Sequence, residues 1–524
     1  MALLRAVATV GGYTMASRVL GFVRDVLVAA VLGAGAGADA FFVALRLPNF
    51  FRALFAEGAF SAAFVPLYAG LLETEGRRRA FAFAADSLAV LLALLIAVTF
   101  AFEAAMPWAM AVLAPGFIGD PARFDLAVEL TRITFPYLLL LSLVALLGAL
   151  LNAMGRFAAF AAAPLLLNLG MIGALLVALA SHGSAPVALA WGVALAGLAQ
   201  FLMLVFVAHL HGVLPPLPWP RLTPGVRELL RLVAPVALGA GVTQVNLFVG
   251  VIIATLLPPG AVSYLYYADR LNQLPLGVVG VAIGTALLPL MARQIRAGNE
   301  AAAHANQNRA IEASLALGLP AALALALLAL PIVTVLFQRG AFEAGAAHAT
   351  ADALAAFVAG LPGALLARAL SPGYFARRDT KTPVKIAVVC MVVYVGLSLA
   401  LAGWIGHVGI ALATSASAWL NAGLLARGLA RRGHLPIDER LRRRLPRLLA
   451  AVGAMGAALV VAEALVAPWL AEEGLRAGLA LALLVAVGVV VYGAAAQALG
   501  AASLADFNSL RRSRRLDPAD GEGP

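Results

Sequence analysis

The chain has 524 residues, 63% of them hydrophobic and only 12% charged, with a formal net charge of +11. Soluble domains carry about 25% charged residues, so the composition excludes an ordinary soluble domain and indicates a polytopic membrane protein. The single cysteine, Cys390, excludes an internal disulfide framework and a multi-cysteine metal site.

Fourteen apolar runs of roughly spanning length follow in chain order, separated by Arg, Pro or Gly clusters. They cover residues 8–33, 38–72, 82–107, 127–151, 157–180, 186–209, 230–257, 262–292, 311–337, 350–371, 384–404, 407–429, 447–468 and 476–500. The predicted fold class is therefore all-α, polytopic and membrane-embedded. The second run is long for one crossing and contains Pro48 and Pro66, so it is expected to tilt, bend or break.

Orientation follows from the short loops, which carry excess Arg and Lys on the cytoplasmic side. With the N-terminus placed inside, 27 basic residues face the cytoplasm and only Arg123, Arg339 and Arg476 face the other side. Both termini are then cytoplasmic, and this sidedness explains the positive balance better than nucleic acid does. The polar segment 506–524 is expected to be disordered. The basic loop 431–447 reads as a positive-inside anchor, with anionic lipid headgroups as its alternative partner.

An internal repeat is visible. "FSAAFVPLYA" (60–69) aligns with "IGTALLPLMA" (283–292) at an offset of 223, which also pairs Asn49 with Asn272 and Pro66 with Pro289. "GRFAAFAAAP" (155–164) aligns with "YFARRDTKTP" (374–383) at 219. Two six-helix units of like topology follow, related by an axis along the membrane normal, a transporter plan with the site between the halves. The expected organisation is an N-lobe over 1–229, a C-lobe over 230–430, a two-helix segment over 431–505 and a tail over 506–524.

Apart from those counted to either side, the remaining seven basic residues fall within the runs: Arg18, Arg24, Arg46, Arg52, Arg132, Arg270 and Arg368. Each opposes insertion by about 2.5–3.5 kcal/mol at mid-helix. Arg132 and Arg368 can snorkel to an interface. Arg18 and Asp25 share a helix face, about 10 Å apart along the axis. Arg46, Asn49 and Arg52 form a stripe at i, i+3, i+6, with Asp39 opening the run and Glu57 further along it. The eighth run groups Asp269, Arg270, Asn272 and Gln273. Two readings stay open: Arg24–Asp25 and Asp269–Arg270 are register-fixing pairs, or the charges line a water-filled cavity. The excess of arginine over acid favours the cavity, with an anion such as phosphate, pyrophosphate or carboxylate as its guest. No Walker-type loop and no His-Glu-x-x-His pattern accompanies them.

The stretches "SRVLGFVRD", "ADAFFVALRLPNFFRALFAEGAFSAAFVPLY", "YYADRLNQLPLGVVGVAIGTALLPLMAR" and "YFARRDTKTPVKIA" resemble the MurJ/MviN family of the multidrug/oligosaccharidyl-lipid/polysaccharide exporter superfamily. The resemblance runs from about residue 5 to 500. It implies fourteen transmembrane helices, two six-helix lobes around a central cavity, and a lipid-tail groove formed by the last two helices. It implies a flippase of the bacterial inner membrane that is not an enzyme, with lipid II as substrate. Partners are membrane lipids and cell-wall synthesis proteins, without nucleic acid. The family's essential cavity arginines match Arg18, Arg24, Arg52 and Arg270. Its important acid matches Asp39, and its polar positions match Asn49 and Ser263. Asp25, Arg46, Glu57, Asp269 and Gln273 are supporting candidates. Some relatives carry Glu where this chain has Gln273, so a coupling mechanism needing that carboxylate does not transfer. No cofactor or metal is implied, and coupling to membrane potential, protons or sodium stays open. The alternatives are an exporter of another polyprenyl-pyrophosphate-linked oligosaccharide, or a membrane enzyme acting on polyprenyl phosphates.

Overall fold

The computed structural model describes residues 2–55, 59–472 and 474–501, with backbone alone for 2–8, 53–55, 59, 61–62, 236–247, 281–282 and 285. The supporting candidate Glu57 and the segment 506–524 lie outside the described residues.

Every described element of any length is a helix, and each predicted run falls on one helix or on consecutive helices. In chain order they are α1 (Ala2–Leu32), α2 (Ala36–Ala44), α3 (Arg46–Phe55), α4 (Ala59–Thr74), α5 (Gly76–Ala104), α6 (Met106–Leu113), α7 (Pro121–Thr134), α8 (Tyr137–Ala153), α9 (Ala158–Ser181) and α10 (Ala185–Leu210). The series continues with α11 (Pro224–Thr255), α12 (Ala261–Arg296), α13 (Glu300–Leu327), α14 (Ala329–Phe337), α15 (Ala344–Val358), α16 (Leu361–Phe375), α17 (Lys381–Ile405), α18 (His407–Arg431), α19 (Glu439–Leu470) and α20 (Leu475–Ala498). Among the described residues, ten helical stretches are long and apolar enough to cross a membrane, counting α7–α8 and α15–α16 as one stretch each.

Proline accompanies some of the breaks, although Pro66, Pro164, Pro235 and Pro320 sit inside unbroken helices. It lacks an N–H and leaves the carbonyl four residues earlier without its helical donor. Pro48 orphans the carbonyl of Ala44, and α2 stops there; the Thr134 hydroxyl donates to that oxygen at 3.4 Å. The second run, expected to tilt, bend or break at Pro48 and Pro66, is broken at Pro48, while Pro66 sits inside α4. Pro362 acts in the same way between α15 and α16. There the Ser415 hydroxyl donates to the carbonyls of Ala356 (2.6 Å) and Phe357 (3.0 Å), and Trp419 Nε1 donates to Ala359 at 2.8 Å. The repeat partner of α2–α4 is α12. It runs unbroken, with Leu271 where Pro48 stands 223 residues earlier and with Pro275 and Pro289 inside it. Other boundaries repeat at similar spacing: Ala105 and Leu328 separate α5 from α6 and α13 from α14, also 223 residues apart.

The chain packs as two compact units, Met1–Ser263 with Phe337–Ala346, and Tyr264–Leu336 with Ala347–Pro524. The repeat was expected to divide after residue 229. Packing groups α11 with the first unit because it lies on α3, α4 and α5. Within that unit α1 packs on α9, α9 on α10, α10 on α8, and α2 on α7. Gly170 and Gly192 let α9 and α10 approach closely; a Cβ on either would stand 2.7 Å from an alanine Cβ of the other helix. The Phe337–Ala346 segment joins the first unit through a backbone clasp. Ala341 N–H donates to Ala30 at 2.7 Å, with Gly33 (φ +68°) and Gly340 (φ +59°) flanking it.

In the second unit α17 packs on α18, α16 on α18 and α13, and α19 on α13 and α20. Glu312 of α13 binds Arg309, Arg444 (2.5 Å) and Arg440 (3.3 Å), and Arg309 also pairs with Asp438. Part of the basic loop 431–447 therefore pins α19 to α13.

Candidate functional site

The "SRVLGFVRD" arginines lie on α1, and they are held differently. Arg18 is exposed. Arg24 is clamped: Nε and Nη2 donate to Asp25 Oδ1 at 3.0 and 2.6 Å, and Nη1 donates to Asn168 Oδ1 at 2.9 Å. Asn168 of α9 is in turn fixed by its amide, which donates to the Ser17 carbonyl at 3.0 Å and to the Ser17 hydroxyl at 3.4 Å. The Arg24 and Asp25 side chains are 11% and 8% exposed. Three donors of one guanidinium on two anchored acceptors fix its plane, which a flexible ammonium could not reproduce. Sequence reasoning identified Arg24 and Asp25 but missed Asn168. A signal was available, since Asn168 is the only polar side chain in the apolar run 157–180.

On α3, Arg52 Nε donates to Asn49 Oδ1 at 3.1 Å, so the predicted i, i+3 stripe is a physical contact. Arg46 opens the same helix and is half-buried.

Asp39 sits in the first turn of α2 and is fully buried. It accepts four hydrogen bonds, from Arg123 Nη2 (2.5 Å), the Gly260 N–H (2.7 Å), the Ser263 N–H (2.8 Å) and the Ser263 hydroxyl (2.5 Å). Arg123 lies over the Phe117 ring with its guanidinium carbon 3.8 Å from the centroid. This corrects the reading of Arg123 as a loop charge. It stands at the start of α7, whose N-cap Asp120 accepts its backbone N–H at 3.2 Å, while the side chain turns inward to Asp39. A carboxylate with one countercharge and three further donors is satisfied despite burial. The arrangement ties α2, α7 and the start of α12 together.

In the second unit, Arg270 Nη2 donates to the Tyr266 hydroxyl at 3.0 Å, and the guanidinium lies 4.9 Å from that ring. Gln273 donates to Asp269 one turn away. Arg18, Arg24 and Arg52 thus belong to the first unit, and Arg270, Asp269 and Gln273 to the second.

Beyond the spans, Asp379 joins α16 to α17. It accepts from the Thr382 hydroxyl (2.6 Å), the Thr382 N–H (2.9 Å) and Arg432 Nη1 (2.6 Å), which hold its carboxyl well below the usual carboxylate range.

Residues 28–492 match the family described as lipid II flippase MurJ. A probable lipid II flippase MurJ of Rhizobium tropici is 43% identical over 99% of this chain and 98% of its own length. Its counterpart in Vibrio cholerae is 39% identical over 94% and 95%. Among solved structures, an inward-closed lipid II flippase MurJ superposes with a TM-score of 0.77 at 23% identity, covering 93% of this chain and 97% of that one. An inward-facing multidrug MATE transporter superposes at 0.65 and 15% identity, over 79% and 94%. The two structures share the fold, while the family match over most of the sequence and the near full-length identity go further: this multi-pass membrane protein belongs to the lipid II flippase MurJ family.

Proposed function

We infer that this chain is the lipid II flippase of its cell. It moves an undecaprenyl-pyrophosphate-linked peptidoglycan precursor from the cytoplasmic to the periplasmic leaflet of the inner membrane, by alternating access across fourteen crossings with both termini inside. The polar head cannot cross about 30 Å of hydrocarbon unaided. Its pyrophosphate binds Arg18, Arg24, Arg52 and Arg270, and its tail stays in lipid along α19 and α20. The observation that carries the site is the clamped Arg24: a guanidinium fixed by Asp25 and Asn168 is pre-oriented for a phosphate, so little ordering cost remains when substrate arrives. Arg52, steadied by Asn49, supplies a second donor on the same unit.

Voltage gives the cycle a direction. Each negative charge moved outward across the full field gains about 2.3 kcal/mol per 100 mV of inside-negative potential. Any proton or sodium coupling uses groups other than the uncharged Gln273. The site is tested by replacing each of the four arginines with alanine and asking whether cells depleted of their native flippase grow. Loss of growth at normal protein level supports the assignment, and survival of all four variants at normal level rejects it.

A further inference from the structure

The segment between α10 and α11, residues 211–223, has an unusual composition for a connection between spans. Four of the six positions 215–220 are proline, and the remaining two are Leu217 and Trp219. It forms no helix and no strand. Its start is held where Arg77 Nη2 donates to the Gly212 carbonyl at 3.4 Å, beside the arginine cluster Arg77–Arg79 at the head of α5. Its end is held where Gly225 of α11 packs on Phe83 of α5. Between these anchors the chain leaves the arginine level. Leu217, Pro218, Trp219 and Pro220 and the α5 residues Ala89, Leu92, Ala93 and Ile96 line an open cleft of about 380 Å³.

Those four α5 residues are spaced i, i+3, i+4, i+7 and form one face. From Arg79 they are 10 to 17 residues along the helix, which at 1.5 Å per residue is about 15–26 Å. α5 is one of the helices long and apolar enough to cross a membrane. With its arginines at the headgroup level, the cleft lies at hydrocarbon depth. An extended proline-rich chain rises about 3.1 Å per residue, so Val213 to Trp219 covers about 19 Å, enough to reach it. Proline also makes the path tolerable. Irregular backbone at membrane depth is penalised for each unpaired N–H, and Pro215, Pro216, Pro218 and Pro220 carry none. Trp219 is 83% exposed and Leu217 61% exposed at the apex. Arg221 follows two residues after Trp219 and is exposed, its side chain pointing the charge back from the apolar apex only as far as snorkelling allows.

We propose that residues 213–223 are a re-entrant strap that dips into one leaflet beside α5, and that the cleft beneath it holds an acyl chain of a resident phospholipid. The phosphate of that lipid faces the Arg77–Arg79 cluster. Charge complementarity selects the occupant. The exposed basic groups along this rim are Arg77, Arg78, Arg79, Arg227 and Arg231, against Glu73, Glu75 and Glu228. The cleft itself is lined by Ala, Leu, Ile, Pro and Trp, which offer an alkyl chain contact and no side-chain charge. This lipid site is separate from the arginines assigned to the transported head group, and it stands whether or not they bind it.

The single native cysteine makes a direct test practical. A nitroxide is attached at Trp219→Cys in a Cys390→Ala background of the full chain, reconstituted in phosphatidylethanolamine/phosphatidylglycerol vesicles. Power saturation is then compared with oxygen and with a water-soluble nickel chelate. Greater accessibility to oxygen, at a depth below the phosphates, is the expected result. Preferential access to the chelate overturns the strap, and protection from both reagents would instead place a protein surface over it. The cleft is read separately. Ala93→Trp fills it, and native mass spectrometry of protein extracted from the same vesicles should show one fewer retained phospholipid. An unchanged lipid count in folded Ala93→Trp protein overturns the acyl-chain site, and so does loss of added lipid II in place of phospholipid.

Discussion

Arg123→Met is the substitution that most sharply tests the buried bridge around Asp39. The wild-type carboxylate accepts four hydrogen bonds, but among them only the Arg123 contact at 2.5 Å brings a positive charge. Methionine keeps much of the apolar stem over Phe117 and removes the cation. Gly260 and Ser263 remain as donors to an anion that is now uncompensated. Breaking a buried pair by removing one partner costs about 3–5 kcal/mol. Asp39→Asn leaves the converse fault, a buried guanidinium without its anion, and should cost a similar amount. In the double variant both charges are gone and the shapes are nearly kept, so the total cost should fall below about 2 kcal/mol, because such a pair is often nearly neutral when replaced as a unit. Unfolding free energies of the four proteins in one mixed-micelle system complete the cycle. Single-variant costs that add to within about 0.5 kcal/mol in the double would refute the reasoning, since that is how sites without contact behave.

Other outcomes follow from the same contacts. Asn168→Leu removes the acceptor of Arg24 Nη1 and the donor to Ser17. A lost hydrogen bond to a charged group is worth about 1.5–3 kcal/mol, so lipid II affinity should fall at least tenfold, as read by binding to purified protein. Gly340→Ala places a Cβ 2.3 Å from the Ala30 carbonyl oxygen at a positive φ. It should destabilise the first unit by more than the roughly 1–2 kcal/mol of the left-handed backbone alone, measured by unfolding in the same micelles. Asp379 has its pKa depressed in the folded chain by Thr382 and Arg432. Its contribution is therefore present above its unfolded pKa near 3.8 and lost as pH falls below it toward the folded value. The stability difference between wild type and Asp379→Asn should hold from pH 7 to about 5 and shrink on further acidification; a difference that grows there would reverse the sign of the argument.

The run pattern made most of the fold legible in the sequence, because membrane helices must satisfy their own backbone. Pro48 and Pro66 marked the second run as one that would tilt, bend or break; the chain breaks at Pro48, while Pro66 sits inside α4 and Pro275 and Pro289 inside α12. Division into compact units was less accessible: α11 carries Arg227, Glu228 and Arg231 near its start, but charge alone does not name packing partners, and α11 packs on α3, α4 and α5. Arg24, Asp25, Arg52 and Asn49 could be singled out because charges and amides at membrane depth are costly. Arg123 escaped because counting loop charges treats a residue three positions after a helix cap as exposed, whereas its long side chain folds back to Asp39. Asn168 lay in plain view as one amide among apolar residues, but its partners are about 150 positions away in sequence.

The central claim is that the arginines at membrane depth carry the lipid-linked pyrophosphate across. It is tested most directly by measuring which leaflet holds lipid II in cells whose only flippase is this chain, wild type or with Arg18, Arg24, Arg52 and Arg270 replaced by alanine, at matched protein level. The account predicts that lipid II reaches the periplasmic face with the wild type and stays in the cytoplasmic leaflet with the substituted protein. Periplasmic exposure at the wild-type rate in the substituted cells would contradict it.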